Sequence, residues 1–212
     1  MTRPAQWLQP PLALPLGSGP FHVKGVLYLG TQKYFKTEVP DGLGRLAATL
    51  DDPAVREFIQ GKFLASSWYD VLPVAPLIRA EAEVCHQTVP SYLRKRAAFQ
   101  AREDISGVYR WLLKLASPEL VALKIPRLLT QIFDFGDSYT ERLEDHVVHM
   151  ELRDFPAVLG EWYSTAFEVY AETALGLAGA KNISLVLKTT STGKHASGVE
   201  LVSLKGDAHW DE

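Results

Sequence analysis

The chain has 212 residues, of which 47% are hydrophobic and 22% charged, and its formal net charge is −3. Mean hydropathy is −0.03. Such a chain builds one sizeable domain or at most two small ones; global disorder, collagen, coiled coil and a dedicated basic nucleic-acid binder are excluded.

The one cysteine, Cys85, cannot form an internal disulfide, which points to a reducing, cytoplasmic compartment. Residues 1–20 hold five prolines. The apolar stretch at 11–16 is too short for a signal peptide core of about 7–15 continuous apolar residues. No run of about 18 apolar residues occurs, so no membrane span is expected. Residues 1–20 are expected to be a proline-rich flexible arm, and residues 21–212 a single domain.

Residues 22–29 read as a strand running into a helix. Asp41-Gly42 opens a helix with Leu43, Leu46, Ala47 and Leu50 on one face. Asp52 caps another, with Pro53 in its first turn and Val55, Phe58, Ile59 and Phe63 inside. Residues 76–116 are helical, with an interruption near Pro90. Ile105, Val108, Leu112 and Leu115 form a stripe within them. Ser117-Pro118-Glu119 restarts a helix whose core face is Val121, Ile125, Leu128, Leu129 and Ile132; Pro126 should kink or break it.

Residues 135–138 read as a helix end with its glycine and a following turn. Residues 146–153 alternate as a strand, with His146, Val148, Met150 and Leu152 on one side. Asp154 is expected to cap a long helix over 155–177, with a stripe of Phe155, Leu159, Trp162, Ala166, Tyr170 and Ala174. Two strands, 183–190 and 199–205, flank a long polar hairpin loop at 191–198. The fold class is therefore α+β: a helical N-terminal half, then strand, long helix and β-hairpin in an antiparallel sheet.

No strong catalytic signature is present. Phe135-Gly136-Asp137-Ser138 resembles the nucleophile block of GDSL-type serine hydrolases, with His209 as the candidate base in Asp207-Ala208-His209. The spacing is one residue tighter than that family's Asp-x-x-His, and too little chain follows for a parallel α/β sheet. His146 and His149 lie on opposite faces of a strand, so they make no metal site together. Cys85-His86 diverge on a helix, and Cys85 reads as a small buried hydrophobe. Arg94-Lys95-Arg96 with Arg102 reads as a solvated basic face. No phosphate-cradling glycine motif occurs. The aromatics Trp68, Tyr69, Trp111, Phe133, Trp162, Tyr163, Phe167 and Tyr170 fit either a core or the wall of an apolar pocket.

The order of several segments resembles a known family. They are Val23-Lys24-Gly25-Val26, Trp68-Tyr69-Asp70-Val71-Leu72-Pro73 and Ser117-Pro118-Glu119-Leu120, then residues 128–136 and 155–162, then Gly179-Ala180-Lys181-Asn182, two strands and Trp210. The chain is similar to a paralogous family of myxobacterial-type domains related to heme-nitric-oxide-binding (H-NOX), four-vinyl-reductase-like and TRAPP-type domains. The resemblance implies an α+β domain that encloses a ligand cavity or presents an assembly surface.

Heme-binding members hold the propionates with Tyr-x-Ser-x-Arg ahead of the long helix. The corresponding place here reads His149-Met150-Glu151-Leu152-Arg153, where only the arginine survives and Glu151 would repel a carboxylate. Those members also supply a proximal histidine from the preceding helix, and residues 100–134 contain none. No heme, other cofactor, metal site or catalytic residue is therefore expected. The expected function is a non-enzymatic cytosolic regulatory domain acting through a protein partner or a second copy, with a small apolar ligand between helices and sheet. Trp68, Tyr69, Phe133, His149 and Trp162 are the expected lining. The alternatives are a serine hydrolase using Ser138 and a ligand-free assembly subunit.

Overall fold

The computed structural model describes residue 3 and residues 8–105, 113–129 and 131–211. Val108, Trp111 and Leu112 of the expected apolar faces lie outside the described residues. The chain divides into two compact units, Met1–Arg96 and Ala97–Glu212.

The first unit is helical around a two-stranded ribbon. Strand β1 (His22–Lys24) pairs antiparallel with β2 (Trp68–Asp70), Val23 opposite Tyr69. Helix α1 (Val26–Thr37) follows at once and buries Tyr28, Tyr34 and Phe35. Gly25 makes that junction possible: a Cβ there would stand 2.3 Å from the Leu64 carbonyl oxygen. Helices α2 (Gly42–Thr49) and α3 (Pro53–Gln60) come next. Asp52 caps α3 as expected, accepting from Ala54 N at 2.8 Å. Helices α4 (Val74–Val84) and α5 (Val89–Asp104), the latter running on past Arg96 into the second unit's residues, are separated by a turn in which His86 has φ +54°.

Tyr28, Phe58, Phe63 and Tyr69 form an aromatic core, with Tyr28 and Phe63 stacked at 4.9 Å. The Tyr28 hydroxyl donates to the Asp70 carbonyl, so its polar end is satisfied inside that core. The arm touches this unit: Arg3 meets Asp51 and Glu83, each at 2.7 Å, and Gly17 N donates to Asp70 at 2.8 Å.

The second unit holds helix α6 (Pro118–Leu129), strands β3 (Asp137–Glu144) and β4 (Val147–Pro156), a 3-10 turn (Ala157–Leu159) and helix α7 (Gly160–Leu177). Strands β5 (Lys181–Ser184), β6 (Lys188–Lys194) and β7 (Glu200–Asp211) complete it. The antiparallel sheet runs β3-β4-β7-β5, with β6 also pairing with β7. Val148, Met150, Leu152, Val202, Leu204 and Ala208 are buried in the sheet, and Tyr163, Phe167, Ala171 and Leu175 on α7. Phe155 meets Tyr163 at 4.3 Å.

Several local expectations are corrected. Asp154 is not a helix cap. It sits at φ +55° in a bulge of β4, after which pairing with β7 resumes at Phe155 opposite Val202. A cap needs extended backbone at that residue, and here the strand ladder dictates the conformation instead. The buried stripe of α7 falls on Tyr163, Phe167 and Ala171, while Trp162, Ala166 and Tyr170 are half-buried. The 3-10 turn winds at three residues per turn, so a phase counted from Phe155 no longer applies.

Residues 135–138 are not a helix end: Gly136, at φ +79°, turns the chain into β3. His146 lies in the turn after β3 at φ +62°, outside the strand. Helix α6 runs through Pro126 to Leu129. The expected hairpin loop at 191–198 is shorter, because β6 reaches Lys194. The expected strand 183–190 is broken at 185–187. There the Val186 carbonyl lies over Gly206, and Leu187 N donates to the buried Glu168 carboxylate at 3.0 Å.

Candidate functional site

Helix α6 and strand β3 enclose a cleft. Ser117 starts α6, its hydroxyl accepting from Leu120 N at 3.2 Å. Glu119 stands in the first turn, where the helix dipole favours an acid. Across from α6, alternation along β3 puts Ser138, Thr140 and Arg142 on one face. The Thr140 hydroxyl donates to the Leu123 carbonyl at 3.2 Å. Arg142 meets Glu119 at 2.7 Å and also pairs with Asp145. Beside these two anchors lies a cavity of about 460 Å³, lined by Leu123, Lys124 and Arg127 from α6 and by Gly136, Asp137, Ser138 and Thr140. Leu123 supplies the one apolar side chain of that wall.

The other face of the sheet carries charged pairs. His149 Nδ1 meets Asp207 at 2.6 Å, and the two are register partners across β4 and β7. Arg153 meets Glu151 at 2.8 Å, with its guanidinium 5.8 Å from the Tyr139 ring. The hydrogen bond from Arg153 holds the Glu151 carboxyl below its usual range.

The five expected lining residues fall in different surroundings. In the first unit, Trp68 is 46% exposed, with the Lys24 ammonium 5.4 Å from its ring. Tyr69 belongs to the aromatic core, and its hydroxyl accepts from Leu64 N at 2.9 Å. In the second unit, Phe133 and Trp162 meet edge-to-face at 6.2 Å, within a cluster that includes Phe155 and Tyr163. His149 stands with Asp207 on the sheet face away from that cluster. The α6–β3 cleft is lined by none of the five.

Ser138 and His209 are not brought together. Ser138 pairs with Leu152, and His209 with Val147, five positions away along β4. At about 3.4 Å per residue that is roughly 17 Å. Among the described residues, no group of three His, Cys, Asp or Glu is arranged to hold a metal. No helix among them is long and apolar enough to cross a membrane.

No family model and no curated protein matches this chain. Solved structures do. A variant of the H-NOX protein from T. tengcongensis matches with a TM-score of 0.61 at 12% identity, over 89% of this chain and 98% of that one. A variant of the Fe(II) unliganded H-NOX protein from K. algicida matches with a TM-score of 0.58 at 11% identity, over 89% and 97%. An oxygen-binding H-NOX domain related to soluble guanylate cyclases matches with a TM-score of 0.60 at 11% identity, over 89% and 95%. This chain has the H-NOX fold. The expected α+β class and the resemblance to H-NOX domains hold at the level of fold.

Two further matches with this fold concern heme and its distortion, so the fold raises the question of a porphyrin. The residues here do not fit one. At 149–153, Arg153 is held by Glu151 and His149 by Asp207. Across from α6, Arg142 is occupied by Glu119 and Asp145, and Thr140 by the Leu123 carbonyl. Opposite stand Lys124 and Arg127, with no histidine anywhere in 100–134. A porphyrin needs apolar walls and an axial ligand, and this cleft supplies neither.

Proposed function

We propose that this protein is a non-enzymatic regulatory domain that uses the H-NOX fold without heme and signals through contact with a protein partner. One observation carries the reading. The fold is shared with an oxygen-binding domain related to soluble guanylate cyclases, while the cleft between α6 and β3 presents lysine, arginine and hydroxyls and not the apolar walls a porphyrin needs. A contact surface is supported in the first unit, where Val26, Leu64 and Trp68 are exposed around the junction of β1 and α1. Apolar side chains grouped at a surface are candidates for a docking area.

Native mass spectrometry beside a visible spectrum tests the reading, before and after incubation with hemin and desalting. The expected result is the bare chain of 23.6 kDa or its multiples, with no Soret band retained. Stoichiometric heme carried through desalting would overturn it.

A further inference from the structure

The geometry points to the α6–β3 cleft as a binding site for a small molecule with an anionic head group, a carboxylate or a phosphate. This deepens the regulatory reading and rests on it, because it names the class of ligand the domain would sense. Three observations converge. The cavity, about 460 Å³, is large enough for a small metabolite. Its wall carries two cations, Lys124 and Arg127, against one carboxylate, Asp137. An anion lying there meets the Lys124 ammonium within a partly walled space.

The third observation is the state of the donors. Among the described residues, Lys124 makes no ion pair and Ser138 makes no side-chain hydrogen bond, although Ser138 is half-buried. Thr140 and Arg142 are already committed to Leu123 and Glu119 and serve as the frame. The frame therefore fixes α6 against β3 while Lys124 and the Ser138 hydroxyl remain available to a ligand. Charge-assisted hydrogen bonds from an ammonium and a hydroxyl suit an oxyanion. Asp137, at the start of β3, is placed to accept from a hydroxyl or ammonium elsewhere on a larger ligand of this class.

The test is calorimetric titration of the full chain with inorganic phosphate and, separately, with succinate, at constant ionic strength set by chloride. Saturable binding of one probe is expected, and which probe binds assigns the head group. Lys124→Gln and Ser138→Ala should each weaken it by about threefold or more. Lys205→Gln, opposite Glu151 on the other face of the sheet, should leave it unchanged. Circular dichroism of each variant confirms the fold. No saturable binding of either probe, or binding that both variants leave intact, overturns the proposal. The hemin experiment is independent. A heme-free protein that binds neither probe loses this site alone, whereas retained heme removes the regulatory reading beneath it.

Discussion

His149 and Asp207 face each other across β4 and β7, imidazole to carboxylate at 2.6 Å. The pair holds the His149 ring at the sheet surface against a cross-strand neighbour. Cross-strand pairs that water can reach contribute little, about 0.2–1 kcal/mol. Asp207→Asn should therefore lower unfolding stability by less than about 1 kcal/mol, and by less still in high salt. Urea denaturation at two salt concentrations measures it. A loss of several kcal/mol would mean that the pair holds the sheet together.

Glu81 lies buried in the first unit and accepts from the Tyr92 hydroxyl at 2.6 Å. Burial raises its carboxyl above the ordinary 4.5, and the Tyr92 hydrogen bond only partly opposes this. The folded chain then holds its proton to higher pH than the unfolded chain does. Stability from this group is whole below about pH 4.5 and declines as pH rises from there through the raised folded value. Glu81→Gln should remove that decline, so the stability difference between variant and parent should grow in the variant's favour as pH rises across that window. Urea curves at a series of pH values read it directly, and parallel profiles would refute the assignment.

Helix starts were legible because a few atoms decide them. Asp52 before Pro53 and Ser117 before Pro118 supply an acceptor and a preset φ, and both open helices here. Asp52→Ala should cost about 1 kcal/mol, read as a lower urea midpoint at unchanged slope. Strand β4 was legible because Val148, Met150 and Leu152 alternate into the core. Strands β3 and β6 were not, because their exposed polar residues leave no apolar alternation to read. The cleft was hidden for the same reason: half of its wall stands on β3.

Two glycines of the first unit should respond in opposite directions to alanine. At Gly25 a Cβ would lie 2.3 Å from the Leu64 carbonyl oxygen and 2.7 Å from the Tyr69 ring. The backbone must shift, at a cost of about 1–3 kcal/mol or more. At Gly44, on α2, nothing lies within 4 Å. Gly44→Ala should stabilise by about 0.5–1 kcal/mol through helix propensity alone. Thermal midpoints of the two variants, falling for one and rising for the other, check the close approach of α1 to residue 64.

Trp68 separates stability from contact. Its ring is 46% exposed, so its removal forfeits little burial beyond the Lys24 contact, worth about 0.5–1 kcal/mol. Leu64, 68% exposed, contributes still less to the fold. A Trp68→Ser, Leu64→Ser double variant should therefore unfold within about 2 kcal/mol of the parent. If this surface joins two copies, light scattering should show the parent's mass rising with concentration and the variant's staying at one chain. A parent that stays monomeric throughout removes the second copy as the partner and leaves a different protein for that surface. A variant that associates as the parent does removes the surface itself, because nothing else about the fold would have changed.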